Sequence, residues 1–395
     1  MKAPSALDIF IVFLRLGLTS FGGPVAHLGY FRAEFVERKR WVDEATYADL
    51  VALCQFLPGP ASSQVGIAIG LTRAGLAGAL AAWLGFTLPS AVALTLFGYG
   101  VGTWRGVVDS GWLHGLKIVA VAIVAQAVWG MARSLTPDRA RVTLAGAATL
   151  VTLAWPGSVG QILAIAGGGV IGWWRFAQHA SSASAVHPLP IGRRHAVPAL
   201  VIFFVLLAGL PLLAEAVPNH AIALFDSFYR TGSLVFGGGH VVLPLLQSAV
   251  VPPGWIGNDE FLAGYGAAQA VPGPLFTCAA YLGTVMQPGP RGWVGALICL
   301  AGIFLSSFLL VVGTLPLWHA LRARTAVQAA LRGVNASVVG LLLAALYQPV
   351  WTSTIVAPAD FALALAAFIA LVFWQLPPWL VVLATALGSA AIGAL

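Results

Sequence analysis

Residues 54–64 read CQFLPGPASSQ, and residues 268–278 read AQAVPGPLFTC. Each stretch closes one apolar run on Pro-Gly-Pro and opens another at once. Proline cannot continue a helix and glycine weakens one, so both read as breaks between short helices. In hydrocarbon, broken backbone survives only where protein or a water-filled cavity satisfies it. Two questions follow: whether the chain lies in a membrane, and whether the two breaks are one feature written twice.

Composition answers the first. Of 395 residues, 59% are hydrophobic and 8% charged, with a mean hydropathy of +0.91. A soluble domain needs roughly a quarter of its residues charged, so this chain cannot cover a water-facing surface. It reads as an all-α polytopic membrane protein, with roughly 10–12 membrane segments at about 20 residues per crossing. The N-terminus does not read as a removable signal, because Arg15 interrupts the first apolar run and no small-x-small cleavage site follows.

Several chemistries drop out. Cys54, Cys278 and Cys299 lie in apolar runs, at spacings that suit neither a disulfide framework nor a metal. His179, His187 and His195 are not at ligand spacing either, so no metal and no cofactor is expected. GGGVIG at 167–172 fits a dinucleotide glycine pattern but lies inside an apolar run, and no P-loop is present. The net charge of +7 belongs mostly to cytoplasmic loops of a membrane protein, and no basic run is long enough to track nucleic acid.

The second question is settled by repetition. FLRLGLTSFGGPV at 13–25 faces FYRTGSLVFGGGH at 228–240, with Phe13/Phe228, Arg15/Arg230, Gly17/Gly232, Phe21/Phe236, Gly22/Gly237 and Gly23/Gly238 in register. After a one-residue slip, Trp41/Trp255, Gln55/Gln269 and the two Pro-Gly-Pro turns coincide, and GFTLPS at 85–90 then faces GIFLSS at 302–307. We read two homologous halves, 1–180 and 198–395, joined by a solvated Ser-, Pro-, His- and Arg-rich linker over 181–197. The loop after the first Phe-Gly-Gly carries Arg32, Arg38, Lys39 and Arg40, whereas 247–260 has no Lys or Arg. Positive loops face the cytoplasm, so the halves are expected in inverted orientation, a common plan of secondary transporters.

Each half has two breaks. The run from Thr46 to Leu57 spans only about 18 Å at 1.5 Å per residue, short of the ~30 Å hydrocarbon core. It is expected to be a half or re-entrant helix. Short, Gly/Pro-interrupted segments at matching places in two halves point to a transport site near the midplane. A helix starting inside the membrane offers free N–H groups and its positive dipole end, which suits a small anion.

The candidate substrate-binding residues are drawn from these breaks. The first break supplies Phe21, Gly22, Gly23, Pro24 and His27, and its counterpart supplies Phe236, Gly237, Gly238, Gly239 and His240. The second supplies Gln55, Pro58, Gly59, Pro60, Ser62 and Ser63, matched by Gln269, Pro272, Gly273, Pro274 and Thr277. Arg15 and Arg230 lie at matching depth, and a planar guanidinium suits an oxyanion. Plainer readings compete. The glycines also serve close helix packing, Asp226 is one turn from Arg230, and a buried histidine is more often structural than a proton carrier. Asp49 is the best acidic coupling candidate, although its aligned residue is Ala263.

The chain resembles the chromate ion transporter (CHR) family in its long two-half form. The resemblance is carried by FGGPVAHLGYF at 21–31, RKRWVDEATYADLVALCQFLPGPASSQ at 38–64 and GLTRAGLAGALAAWLGFTLPS at 70–90, then by FGGGHVVLPLL at 236–246 and FLAGYGAAQAVPGPLFTCAAYLG at 261–283. It covers nearly the whole chain apart from the linker. It implies a multi-pass protein of the bacterial inner membrane that exports chromate and confers resistance to it. Alternating access driven by membrane potential or a proton gradient is expected, with no cofactor and no enzymatic activity. The transported anion and the lipid are the expected partners, and a homodimer stays open. A carrier of sulfate or another small anion, or an anion channel, is the alternative. One departure from symmetry is visible: Gly-Gly-Pro at 22–24 becomes Gly-Gly-Gly at 237–239.

Overall fold

The computed structural model describes residues 4–103, 111–177, 193–318, 321 and 324–393. His179, His187 and most of the expected linker lie outside these residues. His195 ends a short 3-10 turn, Arg193–His195, where its ring accepts from Arg194 Nε at 2.9 Å. Among the described residues no cluster of His, Cys, Asp or Glu could hold a metal, and none forms a strand.

The first half begins with two helical hairpins. Helix α1 (Ala6–Thr19) breaks at Ser20–Gly22 and returns as α2 (Gly23–Arg32), which continues as a π-helical turn over Ala33–Arg38. Helix α3 (Glu44–Phe56) breaks at Pro58-Gly59-Pro60 and returns as the first limb of α4 (Ala61–Thr103). Helix α4 is itself a hairpin: Ala74 has φ −142° and Gly75 φ +64°, and the Gly70 and Gly78 backbones pack directly together. Polar caps start the elements. Ser5 and Asp8 form a capping box on α1, and the Asp43 carboxylate accepts from the Thr46 N–H on α3. Helices α5 (Gly111–Leu135), α6 (Arg139–Ala154) and α7 (Ser158–Phe176) complete the half.

One further apolar helix, α8 (Ala196–Ala216), comes before the pattern repeats. Then α9 (His220–Leu234) breaks at Phe236–Gly238 and returns through a 3-10 turn as α10 (Val242–Val250). Helix α11 (Asn258–Ala268) breaks at Pro272-Gly273-Pro274 and returns as α12 (Cys278–Val285). Helices α13 (Gly292–Thr314), α14 (Thr325–Ala345), α15 (Pro358–Val372) and α16 (Pro378–Gly393) follow. Among the described residues five helices are long and apolar enough to cross a membrane, and four shorter apolar helices accompany them. The protein is a multi-pass membrane protein. The shorter apolar helices are two limbs of the second half's broken hairpins, 239–250 and 275–285, together with α15 and α16.

The repeat is physical as well as textual. A Cβ at Gly85 would stand 2.6 Å from the Phe10 carbonyl oxygen, and one at Gly302 would stand 3.0 Å from that of Phe225. These are matching positions, and both let α1 and α9 press onto the second limb of α4 and onto α13. Contacts between halves are also reciprocal. Gly115 on α5 lies against Ala386 on α16, and Gly172 on α7 lies against Ala329 on α14, each leaving 2.6 Å for a Cβ. Lipid supplies no hydrophobic drive between helices, so such small-residue approaches carry the packing.

Candidate functional site

The hairpin tips of the two halves meet. The Gly59 N–H donates to the Val235 carbonyl at 2.7 Å, and the Gly273 N–H donates to the Ser20 carbonyl at 2.9 Å. Val235 and Ser20 are themselves matching residues, each just before a Phe-Gly-Gly. Each Pro-Gly-Pro turn is therefore hydrogen-bonded to the break of the opposite half. The turns need glycine: Gly59 has φ +120° and Gly273 φ +101°, a region that Cβ disfavours. A Cβ at Gly59 would also come within 2.7 Å of Ser307 Oγ, and one at Gly273 within 2.9 Å of Ser90 Oγ, again a matched pair across the halves. The N–H groups inside the two turns thus have carbonyl partners, which leaves the N–H groups of the helix starts that follow them as the candidate anion donors.

The Phe-Gly-Gly breaks also come together. Pro24 Cγ would lie 3.3 Å from a Cβ at Gly239, its own repeat partner. The two repeat partners therefore face each other directly across the halves. The surroundings of the breaks differ. Gly237 is covered by Met131 and Leu135 of α5 and Val338 of α14, whereas a Cβ at Gly23 would meet nothing within 4 Å and Gly22 is exposed. Phe21 packs on Trp379, and Phe236 packs against the large core.

Around the first Pro-Gly-Pro a buried polar cluster forms. His27 Nδ1 lies 3.3 Å from Ser62 Oγ, and its ring meets the Phe86 ring edge-on at 5.2 Å. Gln64 Nε2 donates to the Pro58 carbonyl at 2.6 Å and reaches Ser307 Oγ at 3.4 Å. Five buried side-chain atoms in this neighbourhood have no partner among the described residues: Ser20 Oγ, His27 Nε2, Ser63 Oγ, Gln64 Oε1 and Thr87 Oγ1. Each such atom costs about 1–3 kcal/mol in a dry interior, and native proteins hold few of them. The first backbone bond of α4 runs from the Gln64 N–H to the Pro60 carbonyl at 2.9 Å, so the N–H groups ahead of it are open helix-terminal donors.

The remaining expected residues sit elsewhere. Arg15 is exposed on α1, and no ion pair forms on it among the described residues; Ile11 holds the position that Asp226 holds in the second half. Arg230 is locked in a two-point pair with Asp226, Nε at 2.9 Å and Nη2 at 2.6 Å, as the one-turn spacing allows. Neither guanidinium bonds to the polar cluster. Gln55 is exposed, Gln269 Nε2 is buried without a partner, and Thr277 Oγ1 is spent on the Pro274 carbonyl at 2.6 Å. His240 Nδ1 lies 3.0 Å from the Tyr265 hydroxyl. Sequence reading missed Ser20, Gln64 and Thr87. The signal was there in the repeat alignment, as polar residues set opposite apolar ones.

A separate cavity of about 410 Å³ opens among α7, α10 and the end of α14. Its polar groups are uncharged: Gln161, Gln247, Ser248, Asn258, Gln348 and Thr152. They are largely satisfied by one another, as in Ser248 Oγ to Gln161 Oε1 at 3.0 Å.

Comparison with known proteins bears on this architecture. The sequence profile described as Chromate transporter matches residues 7–173 and again 222–391, leaving α8 outside both matches. A chromate transport protein of Pseudomonas aeruginosa is 28% identical over 344 residues, 85% of this chain and 79% of the relative. One from Cupriavidus metallidurans is 27% identical over 86% of this chain and 81% of its own length. An uncharacterized transporter of Methanocaldococcus jannaschii is 27% identical over 86% of this chain and 83% of its own length. No solved structure matches. The profile takes in each half with its two broken hairpins, and by that double match the chain belongs to the chromate transporter family.

Proposed function

We propose that this protein is a secondary carrier that exports chromate across a bacterial inner membrane by alternating access. The observation that carries the reading is the meeting of four Gly/Pro-broken hairpin tips, two from each half, with reciprocal hydrogen bonds between them. Discontinuous helices meeting inside a repeat interface are the usual setting of a carrier's substrate site. The site is proposed at these tips, among the Phe-Gly-Gly and Pro-Gly-Pro residues and the hydroxyls that follow them. The family and the names of the relatives support chromate as the anion.

Inverted orientation is part of the proposal. Hairpins return a chain to the face it entered from. Between the hairpins of the first half and those of the second lie the second limb of α4, then α5, α6, α7 and α8. Counted as crossings they are odd in number, and α8 is the one without a repeat partner. The cations agree: Arg32, Arg38, Lys39 and Arg40 crowd the α2–α3 connection, and 251–257 between α10 and α11 has none. The first Phe-Gly-Gly is open and the second covered, as in a carrier facing one side. With an interior negative by 100 mV, each exported negative charge gains about 2.3 kcal/mol, so a dianion gains about twice that.

The test is chromate uptake into inside-out vesicles from cells making the protein, with sulfate as competitor. Saturable accumulation above empty-vector vesicles, abolished when the potential and pH gradient are collapsed, is expected. No accumulation in vesicles that contain the protein removes chromate as substrate. Steady single-channel currents would make the protein a channel instead.

A further inference from the structure

We infer that the transported anion is held chiefly by first-half side chains, on uncharged donors around the N-terminus of α4, and that the matching positions in the second half are filled by apolar side chains. The inference rests on the carrier reading above and deepens it. The repeat alignment sets Ser20 against Val235, His27 against Val242, Ser62 against Phe276, Gln64 against Cys278 and Thr87 against Phe304. All five second-half residues belong to one apolar core cluster and are at most 3% exposed. The first-half residues are as deeply buried: Ser20 and Gln64 at 0%, His27 at 1%, Ser62 at 2% and Thr87 at 3%. The same backbone scaffold therefore carries a polar lining once and an apolar filling once.

The lining is built to donate. Ser62 and Ser63 open α4, where the free N–H groups and the positive dipole end favour an anion. Ser20, Ser63 and Thr87 have hydroxyls without partners, and the His27 ring stands beside the Ser62 hydroxyl and the Ser20 carbonyl. The three hydroxyls are the unsatisfied groups that an oxyanion's oxygens would complete. No Lys or Arg bonds to any of them among the described residues. Arg230 is held by Asp226, and Arg15 is exposed. A tetrahedral oxyanion in this site is recognised by hydroxyl, imidazole and backbone donors. Without a fixed counter-charge it is also released readily, as a carrier requires.

The experiment is thermal melting of the purified full-length protein, titrated with sodium sulfate or sodium chromate against sodium chloride at matched ionic strength. Wild-type protein is expected to gain melting temperature with sulfate, chromate or both, because a ligand bound only to the folded state stabilises it. Ser63→Ala is expected to keep or raise the melting temperature without anion, since it removes an unsatisfied buried hydroxyl. It is also expected to weaken the anion response about tenfold in concentration. His27→Gln is expected to weaken it similarly, and Cys278→Ala to leave it at the wild-type concentration. A response to sulfate but not chromate supports the site and removes only the chromate assignment. The inference is overturned if no tetrahedral anion stabilises wild-type protein. It is equally overturned if Ser63→Ala and His27→Gln both respond like wild type, or if Ser63→Ala lowers the anion-free melting temperature and keeps the full response.

Discussion

At its Pro-Gly-Pro tip the first half sets Ser62, Ser63 and Gln64 on the turn where the second half sets Phe276, Thr277 and Cys278. The backbones of the two tips agree closely. Gly59 and Gly273 both have positive φ, both donate to the residue before the other half's Phe-Gly-Gly, and both lie against a serine of the opposite half. What the halves share is therefore what the turn and the interface require. What they do not share is the chemistry lining the turn. The difference separates a scaffold made twice from the site proposed above for one half, and three experiments bear on it.

The largest effect is expected where the halves are most alike. Gly59→Val and Gly273→Val each force a side chain into left-handed backbone and against a serine hydroxyl. Chromate uptake per molecule in the membrane should fall below a tenth of wild type in both. If one of the two transports normally, the tips are not equivalent and the comparison breaks.

A middle-sized effect is expected where Pro24 faces Gly239. Gly239→Pro brings ring atoms onto Pro24 and should lower the melting temperature by several degrees. The double variant Pro24→Gly with Gly239→Pro should recover at least half of that loss, since contacting residues couple by roughly 0.5–3 kcal/mol. A double variant no better than the single would show that the contact does not decide which half holds the proline.

The smallest effect concerns the α2–α3 connection, whose cations the matching connection of the second half lacks. Arg32 binds Glu44 at 2.8 Å and Glu37 at 2.6 Å, and its hydrogen bond holds the Glu44 carboxyl below the usual glutamate range. A carboxyl with a lowered native value stabilises above its unfolded value, and that contribution is lost as the pH falls through the lowered one. The pair is exposed, so its worth is small. Arg32→Ala should cost no more than about 1–2 °C at neutral pH, and the gap from wild type should close as the pH falls below the ordinary glutamate range and through the lowered Glu44 value. A gap that stays constant with pH would assign Arg32 a packing role rather than an ionic one.

The breaks were legible because glycine and proline write backbone conformation directly into the sequence. Phe-Gly-Gly, Pro-Gly-Pro and the repeat register were all found where the structure has its turns. The cross-half bonds were not legible. Their acceptors are the backbone carbonyls of Val235 and Ser20, and a carbonyl looks the same at every residue. The surroundings of the arginines were not legible for another reason. Depth along a helix can be counted from sequence, but the direction of a side chain depends on which face the neighbours cover. Arg15 turned out exposed, and Arg230 found Asp226. Gln64 and Thr87 were hidden in apolar runs, where a single polar residue is easily read as noise. Only the contrast with Cys278 and Phe304 marks them.

The contact between Pro24 and Gly239 also says something about ancestry. On a symmetry axis a residue faces its own copy, so two identical chains paired this way must place the same residue on both sides. Proline twice would bring two rings to the close approach seen here, and glycine twice forfeits the preset φ that proline gives near the start of a helix. One gene encoding both copies is free of that constraint: after duplication and fusion, one copy can keep the proline while the other yields. The polar lining could then drift away from one copy and be retained in the other.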